Sequence, residues 1–299
     1  MAFDITGSIV ALVTPMLNDG RVDLEAFDRL LEWHVESGTS AVVVVGTTGE
    51  SATLTPVEHC DLVAHAVARS AGRIAVIAGT GSNSTDEALY FTREALSQGA
   101  DAALLVTPYY NKPPQEGLYQ HFRLIAEQVA IPQILYNVPG RTACDLSLDT
   151  VRRLADMDNV VAIKDATGNL ERGVELVREV GDRLLVYSGE DPISLPLILA
   201  GGKGTISVTA NVAPRLMAQM CRSALANDEA AARAADAKLA ALHKNLFLQA
   251  NPIPVKWALK RMGLIGPGIR LPLVELDAEF RLQVEQALTQ AGIDLPAVA

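Results

Sequence analysis

Lys164 is the residue of this chain best suited to nucleophilic chemistry. It closes an apolar run, Val160-Val161-Ala162-Ile163, and Asp165 follows it. Four apolar residues in a row read as a short buried strand. An ammonium beside apolar walls is poorly solvated, which favours its neutral form, and a neutral lysine amine attacks carbonyl carbon to form a Schiff base. The competing reading is a lysine that flanks a strand and points into water. Three other stretches carry groups that could serve such an amine. Gly46-Thr47-Thr48-Gly49-Glu50-Ser51 offers two glycines, whose backbone N–H groups can turn toward a ligand, and two adjacent hydroxyls, a cradle suited to a carboxylate. The same loop also reads as a turn followed by a helix cap. Thr107-Pro108-Tyr109-Tyr110-Asn111 and Tyr136-Asn137-Val138-Pro139 bring tyrosines that could relay protons or simply pack half-buried. Arg141 adds a planar fork that binds a carboxylate through two parallel hydrogen bonds, with a surface ion pair as its plainer role.

These residues need a scaffold that brings strand ends together. Short β-rich runs are expected at 8–13, 41–45, 74–79, 102–106, 133–137, 160–164, 184–189 and 204–208. Most are near-continuously apolar, as strands of a parallel sheet covered on both faces must be. Amphipathic helical segments lie between them, such as Leu24 to Leu31. Asp23, Ser84 or Thr85, and Ser147 are suitable N-caps, and Gly38, Gly72, Gly99 and Gly181 suitable stops. Eight strands at intervals of roughly 20–33 residues predict an α/β protein with a (β/α)8 TIM barrel rather than an open sheet. Gly79-Thr80-Gly81 lacks the third glycine of a dinucleotide loop. After Asn227 the alternation stops and only helical patterns remain. The expected division is a barrel over 1–227 and a C-terminal helical domain over 228–299, with Lys256 a solvated residue of a structural helix. In a barrel, chemistry sits at the C-terminal strand ends. Lys164, ending the sixth strand, then faces Tyr136 on the fifth across one strand spacing of ~4.8 Å. Ser188-Gly189-Glu190-Asp191 and Ser207 to Asn211, after the seventh and eighth, are small and polar enough to leave room for substrate.

Composition narrows the partners. With 49% hydrophobic and 20% charged residues, the 299-residue chain can bury a large core. Its formal charge of -10 disfavours general nucleic-acid binding, and it requires local donors to capture any small anion. Three scattered cysteines, Cys60, Cys144 and Cys221, suggest reduced thiols. No secretory signal and no apolar run of membrane-spanning length are visible, so a cytoplasmic protein is expected. The five histidines fall in expected helices, and no strand ends combine histidine with carboxylates as a divalent metal requires. No Gly-x-Ser-x-Gly elbow appears, and Cys144 reads as a packing residue. With no metal and no cofactor expected, the remaining chemistry is that of a Schiff-base aldolase or lyase acting on a keto acid.

The motifs also resemble a known family. Gly7-Ser8-Ile9-Val10-Ala11, Gly46 to Ser51, Thr107 to Asn111, Tyr136-Asn137-Val138-Pro139, Ile163-Lys164-Asp165-Ala166-Thr167-Gly168-Asn169 and Asn251-Pro252-Ile253-Pro254-Val255-Lys256, in this order, resemble the dihydrodipicolinate synthase family of pyruvate-dependent Schiff-base aldolases. The resemblance spans essentially the whole chain. It implies condensation of pyruvate with L-aspartate 4-semialdehyde in lysine and diaminopimelate synthesis. Lys164 would form the imine, and Tyr136, Thr47 and Tyr110 a proton relay, with Tyr110 reaching into a neighbouring subunit. Thr48 would hold the pyruvate carboxylate and Arg141 that of the semialdehyde, while Gly189 and the backbone of Ile206 would shape the pocket. A homotetramer built as a dimer of dimers is implied. The sibling N-acetylneuraminate lyases and keto-deoxy sugar acid enzymes generally lack the arginine after Asn-Val-Pro-x. A catalytically inactive keto-acid sensor would have lost one of the groups retained here. For an L-lysine effector site, Ser51, Ala52, His59, Asn83, Glu87 and Tyr109 match lysine-sensitive members. Pro56 stands where such members often carry histidine, which predicts weak or moderate inhibition.

Overall fold

A computed structural model describes residues 3–297. Eight parallel strands close into a barrel in sequence order: β1 Gly7–Ala11, β2 Ala41–Val44, β3 Ala75–Gly79, β4 Ala102–Val106, β5 Gln133–Asn137, β6 Val160–Asp165, β7 Leu185–Ser188 and β8 Gly204–Ser207. The helices between them are α1 Leu24–Ser37, α2 Pro56–Ser70, α3 Thr85–Gln98, α4 Gln115–Gln128, α5 Pro139–Thr142, α6 Leu148–Leu154, α7 Leu170–Val180 and α8 Ser194–Leu199. After β8 come α9 Pro214–Leu225, α10 Glu229–Asn245, α11 Ile253–Arg261 and α12 Ala278–Gln290. The expected TIM barrel is therefore the observed one. Among the described residues no helix is long and apolar enough to cross a membrane.

Helix boundaries follow local chemistry. The Asp23 side chain accepts from the Ala26 N–H, Ser84 from Glu87 and Ser147 from Thr150, each satisfying an otherwise orphaned donor. At α2, Thr55 and Glu58 form a reciprocal capping box. Gly38 and Gly99 end α1 and α3 in the left-handed conformation, as expected. Gly181 also ends α7, in a right-handed conformation. One stop differs: Ala71 takes the left-handed cap of α2 ahead of Gly72. β1 also leaves the ladder at Ala11 rather than at Val13, because the Val13 N–H is taken by the Asn211 side chain.

Side-chain parity separates two apolar layers, because successive strand residues face opposite sides. Val10, Val42, Val44, Ile163 and Val186 point outward and pack with the helices. Ile9, Ala41, Val43, Ile77, Leu104, Ile134, Ala162, Tyr187 and Ile206 fill the barrel. Toward the C-terminal mouth several inward residues are small, among them Ala11, Gly79, Ala166 and Gly189. This parity turns Tyr136 and Lys164 into the barrel. The helices after Asn227 share the outer layer: Ala232, Leu239, Leu242, Val255, Leu259 and Val284 belong to the same apolar cluster as the barrel helices.

Candidate active site

β5 and β6 pair Tyr136 with Lys164 directly. Lys164 is only 5% exposed, and its Nζ lies 4.1 Å from the centre of the Tyr136 ring. The amine thus rests on the face of a buried aromatic ring. Gly189 explains how the lysine stem fits. A Cβ there would stand 2.8 Å from Lys164 Cε and 2.6 Å from Ala166 Cβ, so only hydrogen leaves room. Behind the lysine, Asp165 faces outward and accepts from Arg172 Nε at 2.8 Å and from the Thr167 hydroxyl at 2.5 Å, which fixes the end of β6.

The loop after β2 reaches over this floor. Val45 and Glu50, at its two ends, have φ of 51° and 57°, a left-handed conformation costly for a β-branched residue such as valine. The loop passes so close to β3 that a Cβ on Gly79 would meet the Val45 carbonyl at 2.6 Å. It is held from several sides. The Thr14 hydroxyl donates to the Gly49 carbonyl at 2.7 Å, and Asn251 Nδ2 donates to Thr48 Oγ1 at 2.9 Å. The wholly buried Glu50 carboxylate is paired with Lys256 Nζ and also accepts from the Arg270 N–H at 3.2 Å.

Lys256 requires a correction. Instead of being solvated it is 4% exposed, and burial pushes its ammonium downward in pKa while Glu50 opposes that shift. Seven of the nine residues of α11 are buried, so the helix is covered nearly all round. Its apolar run Ile253, Pro254, Val255, Trp257, Ala258 and Leu259 was the available signal.

An inner cavity is lined by Thr47, Thr48, Tyr136, Lys164, Gly189, Glu190, Arg141 and Asn251, among others. Arg141, in α5, donates from Nη2 to the Asn251 carbonyl at 3.3 Å and leaves most of its fork free. The cavity opens into a cleft of about 480 Å³ that shares Thr47, Arg141, Val138 and Asn251. Ser51, Ala52, His59, Glu87 and Tyr109, five of the six residues matched to lysine-sensitive proteins, line this cleft with Pro56. The sixth, Asn83, adjoins it and donates to the Tyr109 carbonyl at 3.1 Å. His59 stacks on Phe91 with ring centres 4.2 Å apart, and burial lowers its pKa to about 4. Ile206 lies in the inner barrel layer beneath the cavity.

Tyr110 is not brought to this cavity. Its φ of 76° turns it away, and it is 88% exposed. The structure therefore assembles Lys164, Tyr136, Thr47, Thr48, Arg141 and Gly189 within one chain and leaves Tyr110 outside. Asn251, Lys256 and Glu190 were not among the expected site residues. Among the described residues no group of three or more histidine, cysteine, aspartate or glutamate side chains is arranged to hold a metal ion.

The chain resembles known proteins in both sequence and structure. Residues 4–291 match the model of the "Dihydrodipicolinate synthetase family". A 4-hydroxy-tetrahydrodipicolinate synthase from Thioalkalivibrio sulfidiphilus is 60% identical over 97% of this chain and 99% of its own length. The crystal structure of a chloride-inhibited dihydrodipicolinate synthase from Acinetobacter baumannii, complexed with pyruvate, is 54% identical with a TM-score of 0.96, covering 97% of this chain and 100% of that one. The enzyme from Cyanidioschyzon merolae, solved with lysine bound, is 40% identical with a TM-score of 0.93, covering 97% and 99%.

Proposed function

The chain belongs to the dihydrodipicolinate synthetase family, and from that premise we propose how its residues divide the work. The reaction condenses pyruvate with L-aspartate 4-semialdehyde to 4-hydroxy-tetrahydrodipicolinate, in lysine and diaminopimelate synthesis. Lys164 Nζ adds to the C2 carbonyl of pyruvate, and loss of water gives an imine. An imine acidifies the pyruvate methyl group, so removal of a C3 proton yields an enamine. The enamine carbon then attacks the aldehyde carbon of the second substrate. Attack of that substrate's amine on the imine carbon closes the ring and releases Lys164.

Each step moves a proton, and Tyr136 and Thr47 are assigned to that traffic beside the amine. Thr48 and the loop amides take the pyruvate carboxylate, and the free fork of Arg141 takes the carboxylate of the semialdehyde. Gly189 and the Ile206 backbone keep the floor open. The observation that carries the reading is the Lys164 amine, buried on the Tyr136 ring at the base of a cavity rimmed by Arg141.

Tyr110 completes the relay from a second subunit in this reading. Its exposure and turned-out backbone support that role, as do the exposed Val57, Tyr109 and Leu271. The assembly is a homotetramer, a dimer of dimers. The outer cleft is the L-lysine effector site, and Pro56, which offers no donor, keeps inhibition weak or moderate. Residues 1–227 and 228–299 act as barrel and helical domain.

Borohydride reduction in the presence of pyruvate tests the central step. A single adduct on Lys164, located by peptide mass, is expected, together with loss of condensation in Lys164→Ala. An adduct on another lysine, or none, refutes the assignment.

A further inference from the structure

One acid in the inner cavity has no structural task. Glu190 follows Gly189 at the end of β7, and its backbone is firmly held. Its N–H donates to Ser188 Oγ at 3.1 Å, and its carbonyl accepts from the Ser188 and Ser194 hydroxyls at 2.8 and 3.0 Å. Among the described residues, however, no donor hydrogen-bonds to its carboxylate and no cation lies within ion-pair distance. The side chain is nonetheless partly withdrawn from water. Burial raises its pKa and the charge of Asp191 adds to this, as does Asp165 more weakly, while Lys164 and Arg141 act in the opposite direction.

Glu190 is half-buried, and its carboxylate, unpaired within the protein, faces the cavity free to accept from a cationic ligand. Glu190 is the sole acid among the residues lining this inner cavity. Glu50, in the adjoining cleft, is already occupied by Lys256 and the Arg270 N–H. The two cations at the inner cavity have tasks of their own: Lys164 is consumed in forming the imine, and Arg141 is reserved for a carboxylate. A second free acceptor, Asn251 Oδ1, is buried without a donor and belongs to a residue lining the same cavity.

The second substrate carries a carboxylate and an ammonium on one carbon. Docking the carboxylate on Arg141 brings the ammonium into the space that Glu190 lines. We propose that the Glu190 carboxylate forms the subsite for the α-ammonium of the aldehyde substrate, so that Arg141 and Glu190 together recognise an α-amino acid rather than a simple aldehyde acid. The proposal rests on the substrate reading given above. It predicts discrimination against 4-oxobutanoate, the same chain without its amino group. A site built to pair a charged group rejects the analogue that lacks it, because its own group is then left unpaired.

The test uses full-length Glu190→Gln, which keeps shape and removes charge, with Glu190→Asp as a second variant. The KM for the semialdehyde should rise about 10–100-fold in Glu190→Gln, as for loss of one charge-assisted contact. The KM for pyruvate and the rate of borohydride trapping on Lys164 should stay within about twofold, and Glu190→Asp should recover part of the loss. 4-Oxobutanoate, assayed as a competitor of the semialdehyde, should bind Glu190→Gln as well as or better than wild type. Thermal unfolding should show no loss of stability, since the carboxylate has no partner in the free protein. Equal weakening of the amino and des-amino compounds, or a fall in kcat with an unchanged semialdehyde KM, overturns the proposal. Failure of the wild-type protein to trap pyruvate on Lys164 would instead reject the underlying reading, so the two failures are distinguishable.

Discussion

Replacing Gly189 with alanine adds one methyl group where the fold leaves no room. That Cβ would lie 2.8 Å from Lys164 Cε, 3.1 Å from Lys164 Cγ and 2.6 Å from Ala166 Cβ. Ordinary carbon–carbon contact is ~3.5–4.0 Å, so the lysine stem must retreat by about 0.7–1.2 Å unless the backbone moves. Ala166 cannot yield by a rotamer change because its Cβ is fixed to the backbone. The amine at the end of the stem therefore moves by about 1 Å from its place over the Tyr136 ring. A displacement of that size costs on the order of 100-fold in rate, which corresponds to ~2.7 kcal/mol on the barrier. A coupled assay should show kcat/KM reduced by about that factor, with the borohydride trapping rate for pyruvate reduced in parallel. Strain from one extra methyl costs ~1–3 kcal/mol of stability, so the variant should remain folded at room temperature. Gly140→Ala is the control, because a Cβ at that position meets nothing within 4 Å. If Gly189→Ala keeps kcat/KM and trapping within about threefold of wild type, the lysine stem is not held by this contact and the reasoning fails.

Lys256→Met should remove about 3–5 kcal/mol of stability in urea unfolding at neutral pH, because it strands the buried Glu50 carboxylate; a loss below about 1 kcal/mol would show that Glu50 finds another partner. Arg141→Lys keeps the charge but loses the fork, so the KM for the semialdehyde should rise about tenfold or more at unchanged pyruvate KM, and an equal rise for both substrates would count against the assigned role. Glu58, hydrogen-bonded to Arg270, has its pKa lowered from 4.5 to about 2. Its contribution is thus complete above pH 4.5 and disappears as pH falls toward 2. The stability difference between wild type and Glu58→Gln should be constant above pH 5 and shrink on acidification, and a pH-independent difference would contradict this. Pro56→His adds a ring donor to the outer cleft and should lower the half-inhibitory concentration of L-lysine, which inhibition kinetics can check.

Much of the fold was legible because a parallel barrel buries both faces of each strand. Runs such as Ala41 to Val45 are then continuously apolar, and glycine and proline punctuate the connections. The differences at element ends have identifiable causes. The Val13 N–H is claimed by Asn211, 198 residues away, which ends β1 early. At the end of α2 an alanine adopts the left-handed cap that the following glycine was expected to take. Lys164 and Tyr136 were readable as neighbours because barrel order makes consecutive strands pair, and the ladder does match them. Glu190 was readable only as part of a polar strand end, since nothing in its surroundings distinguishes a carboxylate with a partner from one without.

Lys256 was misread, and the part played by Asn251 missed, for a more general reason. The default for a helix beyond the last strand is a solvated structural addition, and neither residue has a local partner in sequence. Glu50 and Lys256 are separated by 206 positions, and Thr48 and Asn251 by 203. Yet these contacts reach the loop that carries Thr47 and Thr48, and the Asn251 carbonyl accepts from Arg141. Three groups from beyond Asn227, the Asn251 side chain, the Lys256 amine and the Arg270 N–H, grip a loop whose end residues Val45 and Glu50 hold unfavourable backbone angles. Such strain persists only where the surroundings over-determine it. The helical extension thus supplies part of the restraint that the barrel loop lacks alone. The placement of the Thr47 and Thr48 hydroxyls relative to Lys164 is consequently a property of the whole chain rather than of the barrel.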